Sequence, residues 1–484
     1  MYKSKEQLKM MNLSEIACLK TELLTHQIPA VEKLQQIKVG ALYMEMGTGK
    51  TRTALELIRL RLDAKKVNKV LWLCPCSVKT NLWIDIRKHC EGPYDWLKIA
   101  GIESLSSSDR LYLQLLSFVQ TNQVYLIVDE SNLVKNFFAI RTKRIAKLAE
   151  LCKYKLILNG TPVSKNEADL FAQWYILDKR ILGYNSFWSF AANHLEYDDK
   201  GKVKRTLNVD YLTRKIAPYS YTVKKDECLT LPPKKYFTQY FDLTEEQMEE
   251  YELAKFYLLG QVDEFDNTTI YRLFTGLQQV ASGRKLTSIK PLRSEPFFKN
   301  PCDNPRIQTL LNELPTDGQK TIIWCKYQHE IDDICAVLTE KFGPDAVSAF
   351  CGKLNLSKRV SQIEKFRDQA QFFVANKSCG GYGLNLQFCS NMIYYSNDFN
   401  WATRAQSEDR IHRFGQENTV HITDICADSK IDIRILKNLH SKERLSDSFK
   451  SALAEKRNIS DWLDGKDDEY DKNRVRAKRK AESR

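Results

Sequence analysis

Short continuous apolar runs, each stopping on polar or glycine-rich residues, alternate along this chain with stretches whose apolar positions recur at helical spacing. In the first part the runs are "GALYM", "KVLWLCP", "VYLIVDE" and "KLILNG". In the later part they are "TIIWCK", "AQFFVANKS", "NMIYYSN" and "VHITDI". Runs of four to six apolar residues with no polar alternation are what strands buried on both faces require, so the pattern predicts two parallel α/β domains. Their expected extents are 1–225 and 301–440. Between them, at 226–300, "LTEEQMEEYELAKFYLLGQV" and "NTTIYRLFTGLQQVASG" read as helices, and "LPPKK" and "SIKPLRSEPFF" as connectors. This middle part is expected to be a linker with a small helical insertion. Residues 441–484 read as a polar helix followed by a basic tail, "DKNRVRAKRKAESR".

The chemistry sits where the runs stop, as ligands in open parallel sheets do. "YMEMGTGKTRTALELI" follows the first run and opens a helix, with Gly47 and Gly49 supplying backbone freedom ahead of Lys50 and Thr51. Such a loop aims N–H groups and a helix N-terminus at phosphates, with Lys50 neutralising them and Thr51 ligating Mg²⁺. Met44 stands where the strict phosphate-loop pattern has its first glycine, so a chance glycine turn is the competing explanation. "VYLIVDE" ends on adjacent acids. Asp129 suits a Mg²⁺ ion on a triphosphate, and Glu130 suits a water to be oriented or deprotonated. The bland alternative is that the acids cap the segment that follows. In "QSEDRIHRFGQ", Gln406, Arg410 and Arg413 are spaced to share one side of a helix. A solvated charged face would give the same spacing; arginines reaching a γ-phosphate would stabilise its developing charge.

Composition narrows the classes. Of 484 residues, 43% are hydrophobic and 28% charged, so a packed multidomain protein is expected and a disordered or fibrous one is not. The net charge of +13 suits a polyanionic partner. Thirteen scattered cysteines without paired spacing suggest reduced thiols, and no apolar stretch reaches membrane-spanning length. A cytoplasmic location is expected, nucleoid-associated or in a viral host.

Taken in order, the stretches resemble helicase superfamily two and, within it, the Snf-type (sucrose-nonfermenting) double-stranded DNA translocases. The resemblance covers most of residues 20–425: "LLTHQIPAVEKL", "MGTGKT", "LCPCSVKTNLW", "VDESNLVKN", "LNGTPVSKN", "TIIWCKYQHEIDDI", "SCGGYGLNL" and "QSEDRIHRFGQ" follow the family's sequence of motifs. It implies two RecA-like P-loop domains with ATP and Mg²⁺ between them and DNA across both. On the nucleotide it places Gln27 at the adenine side, Met46, Gly47, Thr48, Gly49, Lys50 and Thr51 in the phosphate loop, and Gly383 and Gln406 nearby. Thr51 and Asp129 would hold the metal. Glu130 would act on water, and Arg410 and Arg413 on the γ-phosphate. DNA contact or coupling would fall to Lys79, Asn81, Asn132, Gly160, Thr161, Pro162, Lys326, Ser378 and Asn385.

Asn132 stands where many relatives have histidine, and Tyr43-Met44 replace the usual small and acidic residues before the loop. Trp401 is expected to pack against its own domain rather than brace DNA. The expected activity is ATP-driven translocation on duplex or branched DNA by a single chain, with an accessory protein as a further partner. A strand-separating helicase, or a nucleotide-switched DNA-binding scaffold with little turnover, are the other readings.

Overall fold

The computed structural model describes residues 17–160, 167–197, 201, 203–264, 266–354, 356–377, 384–428 and 430–466. They form two compact units, Met1–Thr230 and Leu231–Arg484. No described helix is long and apolar enough to cross a membrane.

The first unit is built on a six-stranded sheet. Its strands are β1 (Val39–Met44), β2 (Lys69–Cys74), β3 (Leu97–Gly101), β4 (Val124–Val128), β5 (Tyr154–Asn159) and β6 (Ser220–Val223). They lie in the order β6-β1-β5-β4-β2-β3, and every pairing is parallel. Strand alternation sorts the apolar runs between two cores. Ala41, Tyr43, Leu71, Leu73, Leu126 and Val128 join one, with Leu170, Phe171 and Trp174 of the helix Ala168–Leu182. Leu42, Met44, Val70, Trp72, Tyr125 and Ile127 join the other, with Ala54, Leu55 and Ile58 of the helix Lys50–Asp63. Coverage on both faces is why β1, β2 and β4 are apolar almost throughout.

The second unit repeats the plan with β7 (Lys234–Phe241), β8 (Thr321–Cys325), β9 (Val347–Phe350), β10 (Phe372–Asn376), β11 (Asn391–Tyr394) and β12 (Val420–Ala427). The order is β7-β12-β11-β8-β10-β9, again wholly parallel. Ile323, Val374, Ile393 and Ile425 face one core, and Ile322, Trp324, Phe373, Tyr394 and Ile422 the other.

The stretch expected to be linker and insertion contributes to this second unit. Lys234–Phe241 is the edge strand β7, and much of "SIKPLRSEPFF" belongs to a hairpin pairing Arg284–Ile289 with Leu292–Pro296. Both are half-exposed and carry mixed polar and apolar residues, so neither has the continuous apolar run of an interior strand. The two helices, Glu245–Leu259 and Asn267–Ala281, are capped by Thr244 and Asp266, and they bury Tyr251, Leu258, Leu273 and Phe274 in the unit's main core. The helix read as polar, Leu445–Ala454, likewise buries Leu445, Phe449 and Ala452 there.

Candidate functional site

In the first unit, β1 runs into a loop and then the helix Lys50–Asp63. Gly47 and Gly49 both hold φ of 87°, in the left-handed region that side chains disfavour. A Cβ on Gly49 would also come within 2.1 Å of Gln27 Nε2. That amide donates to the Thr48 carbonyl at 3.1 Å, while Gln27 Oε1 accepts from Leu24 N at 3.0 Å. Gln27 therefore clasps the loop's backbone from behind, buried beneath it. The Thr48 hydroxyl donates to Glu45 O at 2.8 Å, and Glu45 Oε2 accepts from Lys225 N at 2.7 Å, tying the loop to the residues after β6. Lys50 Nζ donates to Met44 O at 2.7 Å, so its ammonium sits over the strand end. Met46 and Thr51 are half-buried in this turn. The helix itself is anchored by Arg52, whose guanidinium donates to Thr21 O at 2.7 Å and pairs with Glu56 at 2.8 Å.

Two strands away, β4 delivers the acids. Asp129 N donates to Leu73 O at 2.7 Å, so this residue still belongs to the ladder's edge. Burial pushes its carboxyl up to about 7, the neighbouring Glu130 adding to the rise and the Lys50 ammonium opposing it. Glu130 holds φ 47° and ψ 56°, a left-handed conformation that a long side chain adopts at a cost. Its side chain makes no capping bond to the short 3₁₀ turn Ser131–Val134, so helix capping does not account for Glu130. The Ser131 hydroxyl donates to Gln173 Oε1 at 2.5 Å, fastening the acidic loop to the helix Ala168–Leu182. Asn132 Oδ1 is buried and has no hydrogen-bond partner among the described residues.

Of the other expected contacts in this unit, Lys79 is exposed at the start of the helix Lys79–His89, and Asn81 is half-buried one turn in. Gly160 N donates to Asn159 Oδ1 at 2.9 Å, just past β5. Thr161 and Pro162 lie outside the described residues, as do Ser378 and Gly383 of the second unit.

The second unit corrects the expected arginine face. The helix there is Trp401–Glu408, and it ends before either arginine. Asp409 N still bonds Ala405 O, but Arg410 N bonds Ser407 O at 3.3 Å, one residue nearer, and the chain then turns. Gln406 is consequently exposed, Arg410 buried, and Arg413 half-buried with its guanidinium on Asn385 Oδ1. The turn is held by Leu386 N on Arg410 O at 3.0 Å and by the Gln416 amide on Cys389 O at 2.8 Å. Trp401 is 40% exposed, and Lys442 of the same unit lies with its Nζ 5.4 Å from the ring, so the ring packs against its own unit at the surface and not in its core.

Lys326 is also not an exposed phosphate contact. Its Nζ donates to Gln278 Oε1 at 2.8 Å and lies 3.0 Å from the centre of the Phe399 ring. Burial brings its ammonium down to about 7.

Sequence reading missed what holds this end of the second sheet. Arg404 donates to both Asp424 oxygens, at 2.6 and 2.9 Å, to Glu408 at 2.8 Å and to Asn397 at 2.8 Å, with its guanidinium 3.5 Å from the centre of the Tyr394 ring. Glu408 also receives Lys234 Nζ at 2.8 Å and the Tyr236 hydroxyl at 2.9 Å. Along the chain, Arg404 and Glu408 look like an ordinary i,i+4 surface pair; only the alternation placing Asp424 inside β12 hinted otherwise. Lys377 is buried beside this network, donates to Ser396 O at 2.9 Å, and is brought down to about 7 by burial and by Arg404.

Comparison with known proteins finds an SNF2-related domain at residues 98–288 and a helicase conserved C-terminal domain at 305–415. An uncharacterized ATP-dependent helicase of Mycoplasma pneumoniae is 24% identical over 86% of this chain and 40% of its own length. The ATP-dependent DNA helicase DDM1 of Arabidopsis thaliana is 26% identical over 66% of this chain and 44% of its own. The chain thus spans less than half the length of these relatives. Among solved structures, the Sulfolobus solfataricus SWI2/SNF2 ATPase core in complex with dsDNA aligns over 93% of this chain and 96% of that one, at 21% identity and a TM-score of 0.39.

Proposed function

Since this chain is a Snf2-type member of helicase superfamily two, we propose that it binds ATP at the glycine loop and uses its hydrolysis to move along duplex DNA. The observation that supports this most is that the loop follows the carboxyl end of β1 and the acids the carboxyl end of β4, two strands apart in one parallel sheet and so at the same sheet end. The loop's backbone N–H groups and Lys50 bind the β- and γ-phosphates, and Gln27 sits on the adenine side.

The donor set fits Mg²⁺ held mainly by substrate. Among the described residues no group of three His, Cys, Asp or Glu forms a protein cage, whereas a buried carboxylate after β4 and a hydroxyl in the first turn of the phosphate-loop helix suit an ion that keeps phosphate and water ligands. Thr51 and Asp129 would hold it, and when bound it neutralises charge on the triphosphate. Glu130 takes a proton from the attacking water as the water oxygen bonds to the γ-phosphorus and the bond to ADP breaks. We assign to Arg410 and Arg413 the role of offsetting charge on the transferred group, and to Gln406 and Gly383 that of nucleotide contact. Lys79, Asn81 and Ser378 touch DNA phosphates without reading sequence. Asn132, Gly160, Thr161, Pro162 and Asn385 couple nucleotide state to DNA grip. Lys326, enclosed by Gln278 and Phe399, acts as a positioning residue under that surface.

The test is ATP turnover with and without duplex DNA, together with displacement of a third strand from a triplex. Duplex-stimulated turnover with triplex displacement is expected. Turnover indifferent to DNA would overturn the motor reading, and unwinding of forked DNA without triplex displacement would replace it with a strand-separating helicase.

A further inference from the structure

The chain as a whole is basic, yet one surface reverses sign. Between Asp242 and Asp266 there are nine acidic side chains and one basic one, Lys255. Lys255 is buried, bonds Asp464 at 2.9 Å and pairs with Glu252 at 2.8 Å, so among these acids it compensates Glu252 and leaves Glu245, Glu246 and Glu249 exposed at the helix's first turns. The helix Glu245–Leu259 carries five of these acids, Glu245, Glu246, Glu249 and Glu252 exposed, on an outward face that is also apolar and aromatic: Leu253, Phe256 and Tyr257 are 51%, 74% and 53% exposed. At 100° per residue, Phe256 lies between Glu249 and Glu252, and Tyr257 one turn beyond Leu253. Such a face repels nucleic acid. It suits instead a segment of arginines and lysines whose apolar stems and cations lie over rings while their charges meet carboxylates.

The chain carries such a segment, and the last described residues before it lie beside this helix. The last described residue, Lys466, has its Nζ 3.4 Å from Asp464 Oδ2, the same carboxylate that holds Lys255 of the acidic helix. Residues 467–484 lie outside the described residues. Their sequence is acidic up to Asp471, and 471–484 then carries seven cations and two acids. Five residues reach about 16 Å, most of the ~22 Å length of a fifteen-residue helix. The cations therefore begin within reach of the face, at the high effective concentration of a short tether.

We propose that the acidic aromatic face of Glu245–Leu259 docks the chain's own basic segment 471–484, and that DNA competes with this face for the segment. Docked, the segment is withheld from phosphates; released, it adds non-specific DNA affinity. Hydrolysis need not change.

The test compares four versions of the 484-residue chain: the natural one, a face variant Glu245→Lys/Glu246→Lys/Glu249→Lys, a tail variant with Arg474, Arg476, Lys478, Arg479 and Lys480 replaced by glutamine, and their combination. A fluorescein-labelled peptide of residues 471–484 is titrated into each by anisotropy. The tail variant should bind it about tenfold or more tightly than the natural chain, whose own segment competes in cis, and the combined variant should lose that binding. Equal affinity for the natural and tail-variant chains, or affinity indifferent to the face charges, would overturn the proposal; the former result would assign the face to a basic segment of another molecule.

In a second arm, the face variant should raise duplex affinity about fivefold in the natural chain, and by less than about twofold when the tail is neutral. A gain of equal size in both backgrounds would mean the acids merely repel phosphate, and would overturn it. If the lysine substitutions unfold the helix by circular dichroism, Phe256→Ala/Tyr257→Ala replaces them with the same expectations. The DNA arm rests on the motor reading and the peptide arm does not, so failure of one is distinguishable from failure of the other.

Discussion

The two units share a scaffold and differ in what they place at the carboxyl ends of their strands. In the first, that end is made of backbone held open: two glycines and Glu130 in left-handed conformations, a lysine turned onto a carbonyl, and a buried carboxylate whose charge is poorly compensated. In the second it is filled with side chains: Arg404, Asp424, Asn397 and Glu408 satisfy one another, and Lys234 and Tyr236 reach Glu408 from the start of β7. An end that receives a ligand keeps strain and unspent charge for it. An end that aims a turn needs a rigid footing, and a closed ion-pair network under the helix before Arg410 and Arg413 supplies one.

The comparison breaks most sharply at Glu130. Glu130→Gln keeps the shape but removes the proton acceptor, so DNA-stimulated turnover should fall about 10²–10⁴-fold while binding of a fluorescent ATP analogue persists. Undiminished turnover would refute its role on water.

Arg404→Ala tests the footing. It leaves Asp424 and Glu408 buried without their main partner, and the loss should be about 3–5 kcal/mol in urea unfolding of the second unit followed by Trp fluorescence. A loss below about 1 kcal/mol would make the network no stronger than a surface pair.

Gly49→Ala adds a Cβ at φ 87° against Gln27. The loop should lose about 1–3 kcal/mol, seen as roughly tenfold or greater weakening of nucleotide binding by calorimetry. Gln27→Ala removes the clash, and in that background the alanine should be less harmful.

The smallest effect is a pH slope. Folded Lys377 loses its proton near 7, whereas an unfolded lysine keeps it to about 10.4. Below pH 7 both states are protonated and the cost of burying the cation is present in full. Between 7 and 10 the unfolded state binds the extra proton, so stability rises with pH. Relative to Lys377→Met, the natural chain should therefore gain in urea midpoint from pH 7 to 9.5 and stay level from 6 to 7. A parallel pair of curves would show that burial and Arg404 do not lower its titration, Asp398, Asp424 and Glu330 offsetting them.

Of the twelve strands in the two six-stranded sheets, eight were legible in the sequence, and each lies inside its sheet; the four that were not, β3, β6, β7 and β9, are the edges. Interior parallel strands are covered on both faces and flanked on both sides, so "VYLIV" has few alternatives. An edge strand such as "KKYFTQYF" leaves half its surface in water and looks like a connector. The glycine loop and the paired acids were legible for a related reason, being contiguous and needing particular backbone freedom and chemistry at fixed offsets. The arginine segment was read with the right residues in the wrong shape, because i, i+4, i+7 spacing says nothing of where a helix stops.

By itself, then, the sequence determined two parallel α/β cores and the local chemistry at their strand ends, since burial pattern and loop composition act over a few residues. Tertiary structure decided which residues hold those ends in place. Arg404 meets Asp424, Gln27 meets Thr48, and Lys255 meets Asp464 across chain separations that no local pattern records. Such pairings exist only once desolvation and sheet order bring the partners together.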